Sequence, residues 1–449
     1  MNFQIDLDNP LERDRFLNNF AKKSYTEMFD IRSRLGQTKW SINLLPNFRD
    51  KIFSRENKYP HTKNGLYIHI PFCFTRCEYC PYFSEQYNPG IVSEYVDALE
   101  KEIMSVKDTP YIKTTTFSTL YLGGGTPSLL SVDEIGRISE VINKSFTFEN
   151  GAEWSFEGNP ATFTEDKIGA LKSAGFNRVS MGVQTFHDHL LKENGCAHNA
   201  ERARKTIQLL LKYDLLFNID MIYGLLGQTQ DDFEEDIDEL CQYEKLQQLT
   251  LYALKIVDNT PLSDELQKRD GFTAASHYKR LLEYDALAEE KLLAHQYKRE
   301  EHPMFFSKGS ALHRYISTET RVVGLGAGAG TIIDEGEVYN NYDLKEYISA
   351  INENRTPVLA GYKCTQQQNF ERFILYRIIY MHRSAKNFHK LVEKRFSEYF
   401  NTSIGDLYFK VIDDMKKRKF IVKDTEDIVF TDRMWDTLGR IRVTIPSII

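Results

Sequence analysis

Three cysteines, spaced Cys73-Phe-Thr-Arg-Cys77-Glu-Tyr-Cys80, carry the strongest chemical signal in this chain of 449 residues. Three thiolates can bind three irons of a [4Fe-4S] cube, a cluster that usually takes four cysteines, and the fourth iron is then open to a chelating ligand from outside. A structural zinc site would need a fourth ligand and, typically, a second pair of knuckle cysteines, which does not follow in the sequence. Cys196, Cys241 and Cys364 stand singly, so the clustering speaks for metal binding rather than for disulfides.

The residues around this loop are of types that handle a polar ligand. Alternation along the preceding strand, Gly65-Leu-Tyr-Ile-His-Ile70, puts Tyr67 and His69 on one face and Leu66, Ile68 and Ile70 on the other. Gly123-Gly124-Gly125-Thr126-Pro127 follows the next strand, and glycines there let backbone approach a ligand closely. Glu157 ends a third strand in which Ser155 and Glu157 alternate with Trp154 and Phe156. A carboxylate buried at that point needs a cationic or hydroxyl partner. Gln184 and Asp220 stand at later strand ends. The run GLGAGAG at 324–330 is not a dinucleotide fingerprint, because no βαβ unit with a distal acid surrounds it.

The elements that must position these groups are short β-rich runs at 66–70, 117–123, 153–158, 178–183, 217–223 and 248–256, each followed by an amphipathic helical stretch. Six βα units predict a parallel sheet, as an open doubly wound sheet or as a full or partial barrel, and periodicity leaves both open. Residues 1–64 are polar and weakly periodic, with a helix expected at Leu11–Leu35, and read as an N-terminal extension. The barrel or sheet is expected over 65–335. Helical patterns then run through 342–352, 365–381, 388–396 and 404–418, followed by a hairpin in FIVKDTEDIVFT and a last helix near Met434–Arg440, a winged-helix-like C-terminal domain over 336–449. With 57 basic against 64 acidic residues and a formal charge of −7, neither a nucleic acid nor a membrane surface is the expected main partner. The N-terminal stretch has no long apolar run, so the expectation is a cytoplasmic protein acting on small molecules.

The stretches LYIHIPFCFTRCEYCPYF, YLGGGTPSLL, FEGNP, NRVSMGVQTF and IDMIYGLLGQT resemble, in this order over roughly residues 65–260, the HemN-like radical S-adenosylmethionine (SAM) proteins; weaker similarity continues to the C-terminal region. The resemblance implies an α/β fold with a partial (β/α)6 barrel, a [4Fe-4S] cluster on Cys73, Cys77 and Cys80, and SAM as second cofactor. It assigns Tyr67 to the SAM sulfonium and Tyr79, through its backbone, to adenine. Gly124, Gly125 and Thr126 would receive the amino group, and Glu157, Gln184, Asp220, Ile222 and Ala253 would be further SAM contacts. Gly326 and Ala327 would lie beside a second SAM.

The expected activity is reductive cleavage of SAM to a 5'-deoxyadenosyl radical. The substrate step would be methyl or one-carbon transfer to a tetrapyrrole or another planar natural product, with an electron donor such as flavodoxin. The family also offers oxygen-independent coproporphyrinogen III dehydrogenation and haem chaperoning without catalysis. Two positions depart from its pattern. Tyr82 stands where the coproporphyrinogen enzyme has a further cysteine, and Cys196 stands where the family has arginine. A cysteine cannot clamp a carboxylate as a guanidinium does, so either another cation, Arg202 or Arg204, takes that role or Cys196 has a role of its own. Residues 1–64 and 296–320, with His302, His313 and Arg314, are expected to line the substrate pocket.

Overall fold

The computed structural model describes residues 4–6, 41–43, 47–60, 63–80, 82–213, 215–254, 256, 260–266, 274–300, 305–308, 321–381, 388–423, 428–431 and 433–434. The expected helix at Leu11–Leu35, the residues His302, His313 and Arg314, and nearly all of the last expected helix lie outside them.

Six strands follow one another through the first half of the chain: β1 (Asn64–Ile70), β2 (Thr116–Gly124), β3 (Thr147–Gly158), β4 (Arg178–Gln184), β5 (Leu216–Tyr223) and β6 (Gln248–Ala253). Each is parallel to the one before and lies next to it in the sheet. A doubly wound sheet reverses its strand order part-way. Here the order runs in one direction only, so the alternative left open by periodicity resolves to the partial barrel.

The sheet continues past both ends of this arc in ways the strand pattern does not predict. β7 (Lys298–Arg299) and β8 (Phe305–Ser307) add antiparallel strands beside β6. Beyond β1 come β9 (Arg321–Leu325), parallel to it, and then the antiparallel β10 (Gly330–Ile333), β11 (Gly336–Asn340) and β12 (Val358–Lys363). The glycine run at 324–330 spans the end of β9 and the start of β10. Its glycines serve close backbone approach: a Cβ on Gly324 would lie 2.2 Å from the carbonyl oxygen of Gly330. The boundary drawn at 335 falls in the turn between paired β10 and β11.

Helix starts follow local chemistry. α1 (Pro89–Val106) opens on Asn88, whose side chain accepts from the N–H groups of Gly90 and Ile91, with proline at the first helical position. α2 (Val132–Ser145) and α3 (Gln230–Cys241) each begin with a capping box, Ser131 with Glu134 and Thr229 with Asp232. α1 buries Val92, Val96, Leu99 and Ile103 in the same core as Leu66, Ile68 and Ile70 of β1. Tyr67 falls in a different cluster with Tyr121, Val322 and Ala329, as alternation requires. After α4 (Leu344–Asn352) the chain forms α5 (Gln366–Met381), α6 (Phe388–Phe400) and α7 (Leu407–Lys417), then a hairpin of Ile421–Lys423 with Ile428–Phe430. Among the described residues no helix is long and apolar enough to cross a membrane.

A short helix at Phe48–Phe53 ties the residues before the sheet to its body through one buried carboxylate. Glu102 of α1 accepts from Arg49 Nη1 (2.5 Å), Asn340 Nδ2 (2.8 Å), Gly326 N (2.7 Å) and the Tyr347 hydroxyl (2.8 Å). Three stretches distant in sequence, at Arg49, Glu102 and 326–347, therefore converge on a single charge. Arg49→Met is expected to cost about 3 kcal/mol, the low end for removing one partner of a buried ion pair, because three donors to Glu102 survive. The urea midpoint is the measurement, read at an unchanged m-value.

Candidate functional site

The cysteine loop leaves the carboxyl end of β1 and is stitched down on several sides. Gly125 donates its N–H to Ile70 O (2.9 Å), and a Cβ on Gly125 would lie 2.6 Å from Phe72 O, so only glycine lets the turn after β2 lie this close. Thr126 Oγ1 sits 3.5 Å from Cys73 Sγ. On the other side Glu78 N donates to Asn194 O (3.1 Å), and Leu262 N donates to Glu78 O (3.2 Å). Cys73, Cys77 and Cys80 are half-buried. Burial pushes the thiols of Cys73 and Cys80 up, and the nearby thiols add to this in each case.

The loop brings a fourth thiol into play. Cys196, read as isolated, packs its side chain against Cys77, which it holds below the ordinary thiol range, and stands 3.6 Å from the Tyr79 hydroxyl. Its own thiol is driven up, by Cys77 first and by burial second. Arg202 and Arg204 do not replace the missing arginine. Arg202 donates to Pro160 O and Phe163 O, while Arg204 forms a two-pronged ion pair with Glu239. Both guanidinium groups are held on the helical shell, where fork-shaped donors find carbonyls and a carboxylate within reach.

Along β1, Tyr67 and His69 form a relay. Phe83 O can only accept, so His69 Nε2 carries the proton that it donates there (3.2 Å), and Nδ1 accepts from the Tyr67 hydroxyl (2.8 Å). Burial lowers the His69 pKa to about 4, which keeps the ring neutral. Gly124, at φ +120°, lies on this ring: a Cβ there would meet His69 at 2.7 Å. Tyr121 of β2 pairs in register with Tyr67 and stacks on it, with centroids 6.3 Å apart.

Tyr121 also donates to Glu157 Oε1 (2.5 Å), and Gly124 N donates to Oε2 (3.1 Å). Burial raises the Glu157 carboxyl to about 7 against these two donors. Asp220 accepts from Ser180 Oγ (3.0 Å) and Asn218 Nδ2 (2.7 Å), and burial raises it too. Gln184 ends β4 at φ +70°, beside a register shift after Gly182; a non-glycine residue held there is strained in the way that functional positions often are.

Beneath these ligand-ready ends runs a polar layer that sequence reasoning missed. Arg178 is buried and donates to Gln248 Oε1 (2.8 Å) and Ser155 Oγ (3.3 Å); Ser155 donates to Glu153, and Thr250 to Asn218. Its charge favours the ionised forms of both Glu157 and Asp220. The signal was present as period-two alternation of Arg178/Ser180, Asn218/Asp220 and Gln248/Thr250 in strands otherwise apolar.

The remaining expected residues separate into two places. Tyr79 and Ile222 come together in an apolar cluster with Tyr252, Leu225 and Leu254, and Ala253 follows Tyr252 at the end of β6. Gly326 and Ala327 lie against the backbone of His69 and the Tyr95 hydroxyl. Their N–H groups already donate to Glu102 and Tyr95.

Residues 67–240 match the family model of the Radical SAM superfamily. The haem chaperone HemW of Bacillus subtilis strain 168 is 28% identical over 389 residues, which are 84% of this chain and 97% of that protein. The oxygen-independent coproporphyrinogen III oxidase of Salmonella typhimurium is 29% identical over 394 residues, 80% of this chain and 81% of that protein. In three dimensions, the coproporphyrinogen III oxidase HemN of Escherichia coli aligns over 89% of this chain and 93% of its own with a TM-score of 0.65. At 21% identity that likeness is one of fold. The chain carries a radical SAM domain and is HemN-like in sequence and fold.

A HemN-like radical SAM protein implies a [4Fe-4S] cluster and SAM, and the donors present fit both. Three thiols on one loop are the donor set that three irons need, and metal that displaces their protons would supply the countercharge that burial denies Cys73 and Cys80. The three sites of the motif lie on one loop, whereas Cys196 reaches it from a different segment. Cys196→Ala is therefore expected to leave the iron content and visible absorption of the reconstituted HemN-like protein at the wild-type level, measured as iron and sulfide per chain.

Proposed function

We propose that this protein holds a [4Fe-4S] cluster on Cys73, Cys77 and Cys80, binds SAM between that loop and the lumenal carboxylates, and directs radical chemistry at a tetrapyrrole-like planar substrate. The observation behind this reading is that one turn touches both halves of the site: Thr126 meets Cys73, and Gly124 meets Glu157. When bound, the cluster supplies one electron for reductive cleavage of SAM to its 5'-deoxyadenosyl radical, and a flavodoxin-type donor is the proposed source. Metal and cofactor carry that step; the polypeptide's share is placement and exclusion of water.

The residue roles follow from their partners. Tyr67 commits its proton to His69, which leaves its oxygen an acceptor and suits a sulfonium. Glu157 and Asp220 are carboxyls whose ionisation burial opposes, and a cationic ammonium or ribose hydroxyls would satisfy them. Tyr79 and Ile222 offer an apolar wall for adenine. One-carbon transfer would draw on a second SAM near Gly326 and Ala327. Since their N–H groups are engaged, what supports that reading is the resemblance of the loop.

The test is an anaerobic reaction with SAM, dithionite and a porphyrin substrate, analysed for products. The proposal expects 5'-deoxyadenosine in the wild type and none in the Cys73→Ala protein. S-adenosylhomocysteine formed alongside selects one-carbon transfer, and a decarboxylated porphyrin without it selects the dehydrogenase reaction. Haem bound tightly with SAM left intact overturns the enzymatic reading in favour of chaperoning.

A further inference from the structure

Between the end of β4 and the start of α3, on the outside of the barrel, two histidines and an aspartate face one another. His187 Nδ1 lies 3.8 Å from Asp232 Oδ1, and His189 Nε2 lies 3.9 Å from the same oxygen. One ligand atom from each of the three falls within 4.8 Å of the others. Neither the cysteine loop nor the lumenal carboxylates share a residue with this group, and the proposed chemistry makes no use of it.

Two of the three donors are oriented by partners that leave the facing atom available. His187 Nε2 donates to the backbone carbonyl of Asp232 (2.9 Å), so the ring presents the Nδ1 lone pair to the cluster. A ligating histidine commonly has its second ring N–H tied in this way. Asp232 spends Oδ2 on the backbone N–H (2.8 Å) and hydroxyl (2.7 Å) of Thr229 and turns Oδ1 toward the two rings. Glu235 and Asp236 each bring a carboxylate oxygen within 3.8 Å of His187 Nε2, which makes the surroundings electronegative. His189 is the exposed member, with its side chain 60% exposed against 19% for His187 and 18% for Asp232.

We propose that His187, His189 and Asp232 bind a divalent transition-metal ion of zinc type, with water completing the coordination. Two imidazoles and one carboxylate suit zinc better than magnesium or calcium, which favour all-oxygen sets. Tetrahedral ligands at about 2.0–2.1 Å from zinc stand about 3.4 Å apart, so closure asks for about half an ångström between each histidine and Asp232 and for up to about 1.4 Å between the two imidazoles, within reach of a rotation of His189. The ion would bridge the segment after β4 to the first turn of α3. That segment is already held by Asp236, which accepts from Thr185 Oγ1 and Phe186 N, and Gln184 with its left-handed backbone immediately precedes it. Metal here would stiffen the lip of the SAM site without touching the reacting atoms.

The experiment is calorimetric titration of zinc into the anaerobically reconstituted, cluster-loaded protein, with metal analysis after gel filtration and a thermal melt of each sample. Wild type should bind one zinc more than the His187→Ala/His189→Ala double variant, at micromolar affinity or tighter, and only wild type should melt higher with zinc. Single His189→Ala, an exposed change that leaves folding intact, should weaken binding at least tenfold, and His189→Glu should recover part of it. Equal zinc content and affinity in wild type and His189→Ala would overturn the assignment, as would binding only at millimolar zinc.

Discussion

Replacing Cys73 or Cys80 by alanine is expected to give a protein that no longer assembles four irons and that cleaves SAM at less than about one-hundredth of the wild-type rate. Loss of a mere outer partner of a metal ligand costs about 10–100-fold, and loss of the ligand itself exceeds that. The expectation is sharper for the third cysteine. Because Cys196 lies against Cys77, the Cys77→Ala protein has a thiol at hand, and it should retain more iron than the other two variants. The Cys77→Ala/Cys196→Ala protein should lose that remainder. Iron and sulfide per chain, together with visible absorption after anaerobic reconstitution, decide the matter. Full iron in Cys73→Ala would refute the ligand assignment.

Glu157→Gln is expected to weaken SAM binding about 10–100-fold at pH 8, the value of a charge-assisted hydrogen bond of about 1.5–3 kcal/mol. The pH dependence carries a second prediction. With its carboxyl raised from 4.5 to about 7, Glu157 is largely protonated at pH 6 and ionised at pH 8. An ammonium favours the ionised form, so the SAM dissociation constant should climb as pH falls below about 7, approaching tenfold per unit, and the glutamine variant should flatten that slope. Stability of the ligand-free protein runs the other way. The folded state holds the proton more tightly than the unfolded chain, so this group's contribution is full below about 4.5 and is lost as pH rises through about 7. Equilibrium dialysis at pH 6, 7 and 8 measures the first effect, and urea melts measure the second.

Much of this architecture is legible in the residues. The six parallel strands fall within a few residues of their apolar runs, except that β3 starts at Thr147 and β6 ends at Ala253. Tyr67 and His69 share a face because alternation is a property of the backbone itself. The direction of strand succession is not local, which is why barrel and doubly wound sheet stayed equivalent until β1 through β6 were seen as neighbours in order. β9 to β12 escaped notice because strands of four to six residues in a glycine-rich stretch read as turns. The meeting of Tyr79 with Cys196 spans 117 positions, a separation no periodicity reports. Arg202 and Arg204 failed as carboxylate clamps for the same reason: sequence shows their charge and not the carbonyls and the glutamate that already occupy them.

The pairing of β9 with β1 has a bearing on how the chain is made. β1, which precedes the cysteine loop directly, receives its second neighbour only from residues 321–325. At a synthesis rate of about 5–20 residues per second, a ribosome leaves that flank open for tens of seconds. An unpaired strand is a template for intermolecular addition. Seating of residues 321–325 therefore removes, beside the cysteine loop, an edge at which a second chain could add.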